Sequence, residues 1–425
     1  MFDRPPKERE SLSWTYAVLW SGLTFAIVPF VRIGVDFVRE QLGSGAFIYA
    51  VAGSVVLATV AAIYLTRHKW SLGASVWLVG LAGLLLYLTF GLADGSAEEA
   101  IHYVQYGTLS VLLFRAFSHR IRDYSIYVAC TLVGTLVGVV DETVQWVTPE
   151  RVFDLRDVWL NFTGVVVVQI GLAAGVRPGV ISEAPGWQSL RRVSFLAALV
   201  VGYLGLCLLN TPDRIAWYAA NIPGLGFIDP NRNIMVEYGH LHGDAESGSF
   251  KSRLTVEELR AASRDRAEEG ARILDRYSAG EDYAEFLAIY SPLADPFLHE
   301  ARVHLFRRDV NLGRAFESDD AATQGRFFAT AYWENRILEE YFEELLHASS
   351  YRWSEELEAE VRDRADTSRA YDSWVSQHLI VGVSPTQLAI SFSGAVLALV
   401  VLGVFAGRRA SGPRGAPRLE GDISR

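Results

Sequence analysis

Apolar positions come in long unbroken runs through the first 210 residues, give way to a charged stretch, and return once near the C-terminus. Eight runs approach the roughly 20 apolar residues that cross a bilayer: residues 14–35, 47–65, 74–92, 102–117, 124–140, 158–175, 193–209 and 388–405. The fourth is short and carries His102 and Gln105. The first is too long for a cleaved signal peptide, lacks a small-residue cleavage site, and is followed by more spans. Between 211 and 385 the pattern is that of a soluble helical protein. Phe327, Ala331, Leu338, Tyr341, Phe342 and Leu345 form an apolar stripe at helical spacing. Thr255 and Glu258 make a capping box before a helix that runs to about Ser278, and Ser354, followed by acids, starts another. The expected fold class is all-α: a polytopic membrane helix bundle of about eight spans with an inserted soluble helical domain. Residues 1–210 form the bundle, with about seven spans. Residues 211–385 form the inserted domain, long enough for its own core. A last transmembrane helix occupies 386–407, and 408–425 is a basic tail.

Basic residues orient these spans. Arg67, His68 and Lys69 follow the second run; Arg115, Arg120 and Arg122 follow the fourth. Arg177, Arg191 and Arg192 separate the sixth from the seventh, and Arg408, Arg409, Arg414 and Arg418 follow the eighth. With eight spans all four regions share one side, and the positive-inside rule makes that side the cytoplasm. Both termini are then expected inside an inner (plasma) membrane, with residues 211–385 outside.

Charge separates the two parts further. The chain has a formal net charge of −10, and the insert alone holds 32 Asp and Glu against 19 Lys and Arg. An acidic domain excludes nucleic acid as a partner, since the phosphate backbone selects basic surfaces. The two cysteines, Cys130 and Cys207, both lie within apolar runs, so buried thiols are expected rather than a disulfide framework.

Six of the nine histidines fall in the insert. Tyr238, His240, His242 and Asp244 alternate, which on an extended segment turns them to one side. Asp295, His299, Glu300 and His304 share one helix, each acid four positions ahead of its histidine. The two histidines are five apart, about 140° around a helix, which departs from the His-Glu-x-x-His zinc motif. Two readings stand. One is a metal site joining the two histidine segments, a divalent cation being the one cofactor in view. The other is a charged helix whose Arg302, Arg307, Arg308 and Asp309 make ordinary surface or packing pairs. Glu334, Glu339 and Glu343 are expected on a solvated face.

The most informative stretch is 98–164, where charged and amide residues interrupt apolar runs. Polar groups in or beside hydrocarbon are costly, and each is a candidate for function. Glu98 and His102 are four apart, as are Asp141 and Gln145. Asp154, Asp157 and Asn161 follow a three-then-four rhythm on one helix. At 1.5 Å per residue, Asp141 lies about 26 Å along its helix from Tyr124, near the outer boundary of a hydrocarbon core about 30 Å thick. Three consecutive spans therefore bring polar stripes to one depth, and Trp146 and Trp159 fit an interfacial aromatic belt. Gly107 and Gly164 read as close-packing points.

These pieces resemble the VanZ-like family of membrane proteins. The resemblance is carried by His-x-x-x-Tyr-Gly around His102 and Tyr106, Asp-Glu-x-x-Gln at Asp141, Glu142 and Gln145, Pro-x-Arg at Pro149 and Arg151, and Asp-x-x-Asp-x-x-x-Asn-x-x-Gly from Asp154 to Gly164. The chain departs from the family in placing two acids, Glu98 and Glu99, just before the histidine segment, where a basic residue is expected. The resemblance implies a cell-envelope membrane protein tied to glycopeptide antibiotic resistance, without a settled reaction.

The expected site is a pocket at the outer leaflet built from Glu98, His102, Asp141, Glu142, Gln145, Arg151, Asp154, Asp157 and Asn161. Clustered carboxylates repel, which favours capture of a proton or a divalent cation. Arg151 can hold a phosphate or carboxylate bidentately. The first reading is binding of a membrane lipid or lipid-linked cell-wall component. The second is an enzyme with Asp141 or Glu142 as base, His102 as proton carrier and Arg151 as anchor. The third is a structural or sensory scaffold in which the polar groups staple the helices and the outer domain recruits partners. No nucleophile elbow, phosphate loop or strong metal motif is present.

Overall fold

The computed structural model describes residues 6–43, 45–69, 71–93, 96–148, 151–231, 233–244 and 248–411. Pro149, Arg414 and Arg418 lie outside the described residues. The chain divides into two compact units, Met1–Cys207 with Ala389–Arg425, and Leu208–Leu388.

The first unit is a helix bundle. Its helices are α1 (Glu10–Ile27), α2 (Val31–Leu42), α3 (Gly45–Thr66), α4 (Leu72–Phe90), α5 (Ile101–Phe117), α6 (Ser125–Trp146), α7 (Leu155–Ile170) and α8 (Trp187–Cys207). Helix α16 (Pro385–Ser411) returns from the second unit. The protein is a multi-pass membrane protein: among the described residues seven helical stretches are long and apolar enough to cross a bilayer. The expected first span is broken. Pro29 sits in a 3-10 turn, Val28–Phe30, between α1 and α2, because proline removes a backbone donor and clashes with the preceding turn.

The expected fourth span, α5, is not among the seven. It is only 17 residues long, yet it is the helix around which others gather, packing against α1, α3, α6 and α7. Tyr103, Tyr106, Leu109, Leu113 and Phe114 are all buried, so its polar residues face protein rather than lipid. Its first turn reaches into α7: His102 meets Asn161, nearly two turns from the start of α7. Beyond its other end, Arg122 accepts backbone bonds from Ser182 and Glu183, ahead of α8.

Glycines set the spacing around α5 and α6. A Cβ on Gly164 would lie 3.3 Å from the Tyr103 backbone, and one on Gly138 would lie 2.9 Å from Asn161 Cβ. Small residues let helix backbones approach where no hydrophobic drive acts between them. Cys130 and Cys207 are free and buried.

The second unit comprises α9 (Pro212–Asn221), a hairpin of β1 (His240–His242) and β2 (Phe250–Ser252), then α10 (Val256–Arg276), α11 (Tyr283–Ile289), α12 (Pro296–Glu317), α13 (Ala321–Tyr341), α14 (Glu343–Ala348) and α15 (Glu355–Arg364). The capping box at Thr255 and Glu258 is formed, and Ser354 caps α15. The strands pair antiparallel, His242 opposite Phe250. Phe250, Leu259, Phe286, Phe297, Leu298 and Phe342 centre a core of its own.

Candidate binding site at one end of the membrane bundle

The start of α5, the end of α6 and the start of α7 bring the polar residues of 98–164 together. His102 Nδ1 lies 2.7 Å from Asn161 Oδ1. An amide oxygen only accepts, so Nδ1 carries the proton. Nε2 then faces Asp157 Oδ2 at 3.7 Å. One turn along α5, the Tyr106 hydroxyl donates to Asp141 Oδ2 at 2.9 Å. Asp141 is 3% exposed and Glu142 fully buried.

The two adjacent acids are held differently. Both oxygens of Glu142 accept: Oε1 from the Gln145 amide at 2.8 Å and Oε2 from the Asp154 backbone N–H at 3.2 Å. Arg151 donates to Gln145 Oε1, which completes a chain from guanidinium to amide to carboxylate. Arg151 also lies within electrostatic reach of Asp141 and Asp157. Asp141 keeps only the tyrosine. Its Oδ1, Asp157 Oδ1 and Asn161 Nδ2 are buried without a hydrogen-bond partner.

A rim of ion pairs surrounds this core. Arg39 of α2 donates to Glu98 at 2.6 Å, and Arg156 binds Ser96 at 2.8 Å and Glu99 at 3.2 Å. Burial holds Glu99 above the usual carboxylate range, and the Asp157 charge adds to that.

Several expected partnerships differ in detail. Glu98 does not pair with His102, because Ala97–Ala100 is a 3-10 turn whose tighter winding takes Glu98 off the face of α5. Asp154 does not extend the Asp157–Asn161 stripe. It is the N-cap of α7, accepting from Arg156 N at 2.7 Å. As a base Glu142 is already committed on both oxygens, and Asp141 is the acid of the pair with an uncommitted one. Tyr106 belongs to the site and was legible as the residue one turn after His102. Arg39 and Ser96 had no periodic signal, since they reach the site from another helix and from a loop, and Arg156, in the first turn of α7, falls outside the three-and-four spacing of Asp154, Asp157 and Asn161.

The six candidate metal ligands of the second unit are not gathered into one set. His240 is exposed and stacks on His242, whose Nε2 faces the Leu254 carbonyl at 2.8 Å. Asp295 caps α12 and takes both terminal nitrogens of Arg266. Glu300 accepts from Ser252 at 2.5 Å and from Arg253. His299 lies 3.5 Å from the Tyr283 hydroxyl, and burial pushes its imidazole down to about 4. His304 Nδ1 is 2.6 Å from Glu334. Among the described residues no group of three or more His, Cys, Asp or Glu is arranged to hold a metal ion.

One expectation about surface charge is overturned here. Glu334 is fully buried rather than solvated. It accepts from Arg307, Tyr371 and Ser373 and faces His304. These donors outweigh burial and hold it below the usual carboxylate range. Arg302 and Arg308 are also buried. Arg302 binds the carbonyls that follow α10, and Arg308 binds Asn335 and the Tyr351 carbonyl. The charges point inward because the helix packing closes over them with partners already supplied.

Residues 13–173 match the VanZ/LLP1 family. That match runs from within α1 to the end of α7 and includes every residue of the polar cluster. No curated protein and no solved structure matches the chain.

Proposed function

We propose that this chain, a membrane protein of the cell envelope whose bundle is VanZ-like, holds the headgroup of a lipid-linked or cell-wall component in the cluster between α5, α6 and α7. The observation that supports this reading is the set of unpartnered buried atoms, Asp141 Oδ1, Asp157 Oδ1 and Asn161 Nδ2. A buried polar atom left unpaired costs about 1–3 kcal/mol, so three in one place favour a role beyond holding helices together. Two carboxylate oxygens call for hydroxyl or ammonium donors, and the amide N–H calls for an acceptor. Arg151 suits a single anionic group. The chemistry fits a headgroup rich in hydroxyls or amines that bears one anionic group. A bare polyphosphate would meet six acids, Glu98, Glu99, Asp141, Glu142, Asp154 and Asp157.

In this reading the site faces outward. The basic loops support it: Glu8 ahead of α1 pairs with Arg115 at the end of α5, and Gly407 of α16 lies beside Arg191 of α8. The arginine-rich ends thus collect at the end of the bundle opposite the cluster, which the positive-inside rule assigns to the cytoplasm. Altered glycopeptide susceptibility would follow from sequestering or presenting the bound precursor.

The test is mass spectrometry of lipids that co-purify with the protein. A hydroxyl- or amine-rich amphiphile enriched over bulk lipid in the native protein, and lost in Asp141→Asn and Arg151→Ala, is the expected result. Co-purified lipid indistinguishable from the bulk membrane in the native protein counts against the reading. A second reading, proton transfer on such a substrate, is favoured by one observation: the proton-bearing Nδ1 of His102 is fixed by Asn161 while Nε2 faces Asp157. It requires a chemically altered product from a labelled precursor, absent with His102→Gln.

A further inference from the structure

We propose that the groove between α3, α4, α5 and α7 seats one hydrocarbon chain of the amphiphile whose headgroup the polar cluster holds, an inference that rests on the reading above. The groove encloses about 440 Å³, within the 300–1,000 Å³ typical of small-molecule sites. Its walls are nearly all apolar, with Ala58, Leu81, Val104, Val111 and Val168 among them.

Small residues create it. Gly107 and Gly171 both line the groove. A Cβ on Gly107 would meet only Val168 within 4 Å, and one on Gly171 only Leu81. At Gly171 the helix also widens into a π turn, Gly171–Val176, a departure often found at functional sites.

Position argues for a lipid tail rather than a soluble ligand. Along α3 the lining runs from Ser54 to Leu65, about 16 Å of helix, within a stretch apolar enough to cross the bilayer. A polar solute would find few hydrogen-bonding groups at that depth, Ser54, Thr59, Tyr103 and Thr108 being the polar side chains of the lining, whereas a hydrocarbon chain needs none. The groove reaches toward the polar site at one residue. Its lining includes Tyr103, the neighbour of His102, which lies within electrostatic reach of Glu99 and Arg156. Gly164 brings α7 against the backbone of His102 and Tyr103 at this junction. A headgroup at the cluster and a tail in the groove therefore belong to one molecule entering along α5.

The test uses the full chain in vesicles of phosphatidylethanolamine and phosphatidylglycerol containing a phosphatidylglycerol analogue with a mid-chain diazirine. After irradiation, labelled peptides are mapped. The exposed face of α16 at Ile390, Leu397 and Val401 reports ordinary lipid contact. Labelling of Val104, Val111 and Val168 should exceed it by about tenfold, and Ala58→Leu with Thr108→Leu should remove that excess. Equal labelling of groove and α16 overturns the inference, as does an excess that survives filling of the groove or crosslinks to a second copy in its place. The two readings fail separately. An amphiphile lost from Asp141→Asn, with no labelling excess in the native groove, keeps the headgroup reading and removes the tail slot. A filling-sensitive excess with no co-purified amphiphile supports the slot and counts against the headgroup reading.

Discussion

Asp141 and Glu142 are neighbours in sequence and both buried, yet their hydrogen bonding separates them. Glu142 is satisfied by Gln145 and the Asp154 N–H, and Asp141 depends on Tyr106 alone. Tyr106→Phe should therefore lower stability by about 1–3 kcal/mol, the cost of leaving a buried acceptor unpaired, seen as an earlier melt in detergent. In the second unit His299 carries a pH dependence. Burial, with the Arg253 charge nearby, pushes its imidazole down to about 4, so the unfolded chain binds its proton first. Stability is then fully present above the ordinary histidine value of about 6.5 and is lost as pH falls toward 4, by no more than about 3 kcal/mol. Hydrogen exchange of α12 between pH 7 and 4.5 should show this loss, and His299→Gln should flatten it. Glu237, held at about 2 by His378 and Arg253 against its burial, adds a second loss below about 4.5. At this scale the sequence was readable where partners lie one helical turn apart, as with His102 and Tyr106. It was unreadable where the partner is distant in the chain, as with Glu334 and Tyr371.

Helix α5 shows what an element can reveal. Its short apolar run and embedded polar residues marked it as different from the other spans, and its place among α1, α3, α6 and α7 explains the difference. The 3-10 turn before it has no sequence signature, so spacing alone points Glu98 to His102 and not to its partner Arg39. The π turn ending α7 was equally hidden within an apolar run. Close packing of these helices rests on their glycines. Gly138→Val would drive a side chain into Asn161, whose Cβ stands only 2.9 Å from where an added Cβ would sit. The expected cost is about 1–3 kcal/mol of overpacking, together with displacement of Asn161 from His102. Gly22, with nothing within 4 Å, is the control: Gly22→Ala should hold or slightly raise the melting temperature, since a helix interior favours alanine over glycine.

For the whole molecule, hydropathy located the seven long apolar helices because bilayer thickness imposes a length on every crossing. It did not show which charges of the insert are buried, since that depends on how helices distant in the chain close over one another. The gathering of arginine-rich ends opposite the polar cluster predicts a definite orientation. Reporter fusions after Arg122 and after Ser354 should report the cytoplasm and the exterior respectively, and a shared side would remove the outward-facing site. The central claim is that the cluster binds a ligand and does not merely staple three helices. The most direct measurement is the melting temperature and the retained amphiphile of Asp141→Asn and Arg151→Ala, taken side by side in detergent. Retention should vanish while the melting temperature holds or rises, because a cluster arranged for a ligand stores repulsion that neutralisation relieves. A fall matching the about 3–5 kcal/mol of a broken buried pair, with retention per folded molecule unchanged, would contradict it.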